Sequence, residues 1–259
     1  MNKNLVIAAV GDESVHSAWL AGANRTFDLA IVYYGNQPGR FVGEAEYYIA
    51  RKGIKFAMLH DVLSSEWASL IDRHERIWFP DDDISASTEQ INHLFQLAEQ
   101  HQLAICQPAI GRGDVSFQTL RARQGYLLRY TRFVEMMCPL FSQAALLRVL
   151  PTFNANASGW GIDWLWASLH GPEELAVIDA VAVDHTRPLQ SGGVHQQFAA
   201  MGIDPKVEYR ELMQRHGINN RRFNRAICRG KARLRGVSLD GRRVWTRSWL
   251  AAALNLRAA

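Results

Sequence analysis

The sequence predicts an α/β protein, a Rossmann-type, mostly parallel sheet sandwiched by helices, and three observations predict it. Residues 5–10 and 28–35 form two nearly unbroken apolar runs separated by a segment long enough for one short helix. Strands of that kind belong to a parallel sheet covered on both faces. Apolar residues then recur at helical spacing, at Phe56, Leu59, Leu63, Trp67, Leu70 and Ile71. Finally, the short apolar run Ile77-Trp78-Phe79 stops at Pro80 and delivers Asp81, Asp82 and Asp83 to a strand's C-terminal end, where open α/β sheets keep their ligands.

Composition agrees with a globular chain. Of 259 residues, 48% are hydrophobic and 21% charged, enough to bury a large core. The first apolar run breaks at Gly11-Asp12-Glu13 without a small-residue cleavage site, which favours a core strand over a signal sequence. No run reaches the ~20 apolar residues of a spanning helix, so the cytoplasm is the expected compartment. Cys106, Cys138 and Cys228 are too widely spaced for a disulfide framework or a zinc cluster.

Gly11 and Gly35 end the first two strands where backbone can approach a ligand closely, which makes Gly11 a candidate binding position. A G-x-G-x-x-G fingerprint is absent. The helical run at 56–71 leads into the acidic strand. Three adjacent acids repel one another unless something positive sits among them. They read either as a solvated turn that caps the helix beginning near Ser85-Ala86-Ser87 or as a divalent-cation site with Asp81 and Asp83 as hard oxygen ligands. Ile91, Leu94, Phe95, Leu97 and Ala98 line the inner side of that helix, and residues 103–106 read as a strand closed by Pro108.

Residues 111–132 are polar and rich in Arg and Gly, a long loop or an edge strand pair. Residues 133–141 read as the next strand, with Ser142 capping a helix through residues 144–147. Glu135 is out of place in that apolar run: it either pairs with an arginine such as Arg132 or faces a substrate cleft. In Ser158-Gly159-Trp160-Gly161-Ile162-Asp163-Trp164, Asp163 either complements a helix dipole or serves as a general base. Residues 176–185 form a late strand ending in Asp184-His185, and His185 is either a polar terminus or a second protein ligand for a metal held by Asp83.

A boundary near residues 202–205 divides a domain at 1–204 from a basic, mainly helical extension at 205–259. The extension holds fourteen Lys and Arg against three Asp and Glu, and the preceding residues hold fifteen against twenty-two. An acidic body with a basic tail points to an anionic partner. Trp245, Trp249 and Leu250 interleave with arginines, which suits either packing onto the body or an anionic membrane surface met through residues 221–259. Nucleic acid is the weaker expectation, since no recognised module accompanies the arginines.

Strand-end Asp81 and Asp83, Asp163 in its glycine-flanked segment and His185 after a late strand follow the order found in GT-A-fold nucleotide-sugar glycosyltransferases. More closely, residues 134–142, Trp160-Gly161-Ile162-Asp163 and the stretch from Val177 through His185 to Ser191-Gly192-Gly193 resemble domain-of-unknown-function family 707. The resemblance spans about residues 4–195. It implies a GT-A-like fold and a transferase, of hexosyltransferase type, that moves a sugar from a UDP- or GDP-linked donor to a hydroxyl on a saccharide or lipid-linked acceptor, as in surface polysaccharide or glycolipid synthesis. It further implies that Asp83 binds Mn²⁺ or Mg²⁺, that Asp81 faces the ribose or the metal's water shell, that His185 completes the metal shell, that Asp163 is the base and that Glu135 orients a sugar. Asp82, a third acid, leaves open which pair of carboxylates is used.

Two other readings compete. Asp81-Asp82-Asp83-Ile84-Ser85 loosely resembles the nucleophile motif of haloacid-dehalogenase-type phosphohydrolases, but two good strands precede it here and no later lysine and paired-Asp motif is convincing. A non-catalytic binder, docking on a membrane or anionic polymer through its tail, is the other. Convergence of Asp81, Asp83, Asp163 and His185 on one cleft discriminates between them.

Overall fold

The computed structural model describes residues 2–171, 173–189, 198–218 and 234–246. Strands β1 (Asn4–Val10) and β2 (Phe27–Tyr33) are buried at every position and pair in parallel, as their apolar character requires. They are joined through a 3-10 turn at His16–Leu20. The remaining strands are β3 (Tyr47–Ala50), β4 (Arg76–Trp78), β5 (Ile84–Ser85), β6 (Ile105–Ile110), β7 (Tyr126–Tyr130), β8 (Leu140–Ser142), β9 (Leu175–His185), β10 (Arg235–Ser238) and β11 (Arg243–Trp245). The sheet order is β11-β10-β7-β9-β6-β8-β4-β1-β2-β3, with β5 pairing β9 off that path. Strands β1, β2, β3, β4, β6, β9 and β10 run one way, and β7, β8 and β11 run against them. The carboxyl ends of β1, β4 and β9 therefore share one edge of the sheet.

Helices that lie wholly among the described residues include α1 (Lys55–Leu63), α2 (Ala68–Arg73), α3 (Thr88–Gln100), α4 (Gln143–Val149), α5 (Ile162–Ser168) and α6 (Pro205–Arg215). The first packs on β1 and α2, α4 packs on β4 and β8, and α3 covers β6 and β9. Ser87 caps α3 in a reciprocal capping box with Gln90. The Ser142 hydroxyl accepts from Ala145 N–H at the start of α4. An aromatic cluster of Phe56, Phe79, Phe141, Phe153 and Trp166, with ring centroids 4.8 to 6.0 Å apart, fixes the starts of α1 and α5 against the end of β4. Among the described residues no helix is long and apolar enough to cross a membrane.

Several local expectations are corrected. The helical run at 56–71 is two helices, because the chain turns at Ser64 and Trp67 N–H returns to Val62 O at 2.8 Å. Pro108 does not close β6; it sits inside the strand at a register shift against β9, where a missing N–H is tolerated. Residues 133–139, buried except for the half-buried Met136, are not strand, which begins only at Leu140. Tyr126–Tyr130 is an interior strand, because the hairpin β10–β11 pairs onto it. That hairpin lies within residues 205–259, whose described part also holds α6. Ser191-Gly192-Gly193, residues 221–233 and Trp249-Leu250 lie outside the described residues.

Candidate active site

Beyond β4 the chain stays extended: Phe79 N–H donates to Pro139 O and Asp81 N–H to Met137 O, both at 2.8 Å. At Asp82-Asp83 the chain turns, with Ile84 N–H donating to Asp81 O at 3.2 Å, and each acid meets its own cation. Asp81 Oδ1 lies 2.7 Å from Lys55 Nζ, Asp82 Oδ1 lies 3.0 Å from Arg187 Nη1, and Asp83 Oδ2 lies 3.3 Å from His185 Nε2. Repulsion among three adjacent carboxylates is relieved in this way.

Asp82 is the most enclosed of the three. Besides Arg187, its carboxylate accepts from Gly11 N–H at 2.7 Å and from Tyr34 O–H at 3.1 Å, so it ties the ends of β1 and β2 to the segment after β9. Gly11 thus gives its N–H to a protein carboxylate, and a Cβ there would lie 2.8 Å from the Tyr34 hydroxyl. Both oxygens of Asp82 are engaged by protein groups.

His185 is placed by the β5–β9 ladder, in which Ile84 faces it directly, and by Thr186 N–H donating to Asp83 O at 2.9 Å. Its Nδ1 lies 3.1 Å from Asp114 O, which turns Nε2 toward Asp83. The bond to Asp83 holds the imidazole above its ordinary pKa. Gly113, at φ +86°, crosses so close to His185 that a Cβ would collide with the His185 carbonyl. Asp83 Oδ1 is buried without a hydrogen-bond partner.

Glu135 and Asp163 are both buried, each 7% exposed. Glu135 N–H donates to Gln107 Oε1 at 2.7 Å, while its Oε2 has no partner. Burial raises the Glu135 carboxyl to about 7; nearby Asp81 adds to the rise, and His185 and Lys55 oppose it. Asp163 lies in the first turn of α5, accepts from Trp164 N–H at 2.9 Å and is supported by the Met136 N–H. Burial, then the field of Glu135, raises its carboxyl to about 8. Partial desolvation raises Asp81, whose side chain stays 40% exposed, and Lys55 pulls it back. Asp83 and His185 are in contact, Asp81 lies within the field of Asp83, His185 and Glu135, and Glu135 within that of Asp163. Among the described residues no group of three His, Cys, Asp or Glu is placed to hold a metal ion.

Sequence reasoning missed Lys55, Arg187 and Tyr34. Lys55 had a readable signal: a cation in a helix's first turn opposes the macrodipole and calls for a local reason. A cavity of about 360 Å³ opens beside this site, lined by Tyr33, Tyr48, Asn36, Arg51 and Lys52. The rings of Tyr33 and Tyr48 stack within it at 6.1 Å and 26°. Over the other side, α6 packs Tyr209 and Met213 against Gly161, and Glu208 accepts from Ser158 N–H at 2.8 Å.

No protein-family model matches this chain, and no curated protein does, so the likeness to family 707 rests on its motifs. Among solved structures, S. aureus TarS residues 1–349 is similar at 12% identity and a TM-score of 0.50, over 85% of this chain and 73% of that one. Longer S. aureus TarS is similar at 12% identity and a TM-score of 0.49, with 86% of this chain aligned to 44% of that one. The A197 protein of STIV is aligned over 95% of both chains at 12% identity and a TM-score of 0.42. TarS is a glycosyltransferase of GT-A-like fold, and the first of these likenesses shows that the present chain has that fold.

Proposed function

We propose that this protein is a glycosyltransferase that moves a sugar from a nucleotide-sugar donor to a hydroxyl acceptor. One observation carries the reading: Asp83 and His185, 3.3 Å apart, stand at the carboxyl edge of a GT-A-like sheet, Asp83 after the strand that also delivers Asp81. In such a sheet that edge is the ligand edge. The cavity lined by Tyr33 and Tyr48 offers aromatic faces to a nucleotide base.

The residues fit a divalent cation in part. Asp83 Oδ1 is a buried acceptor without a partner, and His185, oriented through Nδ1, points Nε2 at Oδ2 of the same carboxylate, a contact that a cation would replace as the imidazole gives up its Nε2 proton. These two would hold Mn²⁺ or Mg²⁺ together with donor phosphate oxygens, as cations bound through few protein ligands commonly are. When bound, the ion neutralises charge on the departing nucleoside diphosphate. Asp81 is held by Lys55 and is not counted in this set.

The chain's own groups supply the rest. The bond from the sugar's anomeric carbon to the diphosphate breaks, the acceptor oxygen bonds to that carbon, and the acceptor's proton passes to the Glu135–Asp163 pair. Glu135 presents its unpartnered oxygen to a substrate hydroxyl, and Asp163 completes the pair behind it. Incubation with UDP- and GDP-sugars plus Mn²⁺, with nucleotide release as readout, tests the reading. Release that depends on added acceptors supports it, and none from any donor argues against it.

For the partners we propose an anionic membrane surface as well. Leu239 (62% exposed) and Trp245 (49% exposed) project from the β10–β11 hairpin among Arg235, Arg242 and Arg243. The hairpin's turn lies toward the carboxyl edge of the sheet, since β10 runs with β9. That orientation suits an acceptor carried on a lipid.

A further inference from the structure

We propose that Lys55 is a positioning residue that withdraws Asp81 from divalent-cation binding and locks the end of β4 to the turn linking Glu135 with Asp163. The proposal takes its cation from the transferase reading above. Lys55 Nζ lies 2.7 Å from Asp81 Oδ1, 2.8 Å from Phe79 O, 3.0 Å from Met136 O and 3.1 Å from Met137 O. An ammonium has three donors, so these four protein acceptors use all of them and none remains for a substrate phosphate. The side chain is only 14% exposed. Its stem runs beside the Phe56 ring, with Nζ 5.2 Å from the ring centroid, and Phe56 belongs to the aromatic cluster that fixes α1.

Two consequences follow from this placement. A divalent ion bound to Asp81 would share one carboxylate with a fixed ammonium, and the two like charges oppose each other. Asp81 is thereby reserved as an acceptor for a substrate hydroxyl, while Asp83 and His185 keep the cation. The second consequence concerns the turn. Met136 and Met137 directly follow Glu135, and Met136 N–H supports Asp163. Holding their carbonyls, Lys55 sets where both buried acids stand relative to Asp81.

The test is titration of Mn²⁺ alone into the full chain, followed by electron paramagnetic resonance, for wild type, Asp81→Asn, Lys55→Gln and Lys55→Met, with circular dichroism to check the fold. Glutamine keeps an amide donor for the carbonyls should the methionine variant fail to fold. Asp81→Asn is expected to stay within about twofold of wild type, whereas Lys55→Gln, which frees Asp81 beside Asp83 and His185, gains about tenfold or more in Mn²⁺ affinity. A tenfold or greater loss in Asp81→Asn, or no gain in a folded Lys55 variant, overturns the proposal. If wild type takes up no Mn²⁺, the assignment of the cation to Asp83 and His185 fails, and the gain or its absence in Lys55→Gln still decides the role of Lys55.

Discussion

Asp82 Oδ2 accepts the Gly11 N–H at 2.7 Å, and this bond joins the end of the first strand to the middle of the acidic triplet. With Tyr34 and Arg187 it makes Asp82 a strut, while the neighbouring Asp83 keeps one buried oxygen without a partner. Adjacent acids should therefore behave oppositely. Asp82→Ala leaves buried donors unsatisfied and is expected to lower stability by about 2–4 kcal/mol. Asp83→Ala removes an under-partnered carboxylate and should stay within about 1 kcal/mol of wild type. Urea denaturation without ligand measures both.

Asp163 sets a pH dependence. Its folded carboxyl titrates at about 8, against about 4 when unfolded. Between those values the folded state holds a proton that the unfolded state has released, so its contribution to stability is lost as pH rises from about 4 to 8. Asp163→Asn should leave the free energy of unfolding unchanged near pH 4 and raise it relative to wild type at pH 9 by an amount on the order of a few kcal/mol, as read by urea denaturation at the two pH values. An equal effect at both pH values would show that the carboxyl is not shifted.

The same pair governs turnover. Glu135 and Asp163 rise to about 7 and about 8, and a base works only once deprotonated. The rate of sugar transfer should climb through that range as one coupled titration. In Glu135→Gln, which loses the group facing the hydroxyl, the rate should fall about a hundredfold or more, and the residual climb should shift to lower pH, since Asp163 loses the neighbouring charge that raises it. An unshifted profile would remove Glu135 from the pair.

Away from the site, Arg129 pairs with Asp179 through Nε at 2.7 Å and Nη2 at 2.9 Å, and Arg129 also donates to Thr119 O and Arg121 O. Asp179 accepts the Arg123 N–H as well. Asp179→Ala leaves Arg129, 1% exposed, without its counter-charge and should cost about 3–5 kcal/mol. Guanidinium denaturation reads this, and nucleotide binding by the remaining folded protein should be unchanged.

The hairpin supplies a prediction outside the cleft. Binding to vesicles rich in phosphatidylglycerol should weaken with salt and fall several-fold in a Leu239→Ser, Trp245→Ser double variant. Equal sedimentation of the variant, or binding indifferent to lipid charge, would remove the hairpin from any membrane contact.

What the sequence disclosed follows from how each element is held. Strands β1 and β2 were legible because burial on both faces leaves an unbroken apolar run, and α3 because Ser87 and Gln90 announce its start. Residues 133–139 misled because nearly all of them are buried without a ladder. Beyond the two backbone bonds from Phe79 and Asp81, their carbonyls accept from side chains, Lys55 at Met136 and Met137, and Trp78 Nε1 at Cys138 O, 2.9 Å away. Nothing in residue order reveals such partners. The hairpin did carry a signal in Asp240-Gly241 between Val237 and Val244, obscured by the arginines around it. Asp81, Asp83, Glu135, Asp163 and His185 stood out as polar residues at apolar strand ends or inside apolar runs; their cationic partners, Lys55 and Arg187, came from segments with no such contrast.

The most direct measurement is calorimetric titration of UDP, then GDP, into wild type and Asp83→Ala, each with and without Mn²⁺. The account predicts nucleotide binding that Mn²⁺ strengthens in wild type and does not strengthen in Asp83→Ala, with both proteins folded. Absence of binding by either nucleotide to folded wild type, or Mn²⁺-strengthened binding that survives Asp83→Ala, would contradict it.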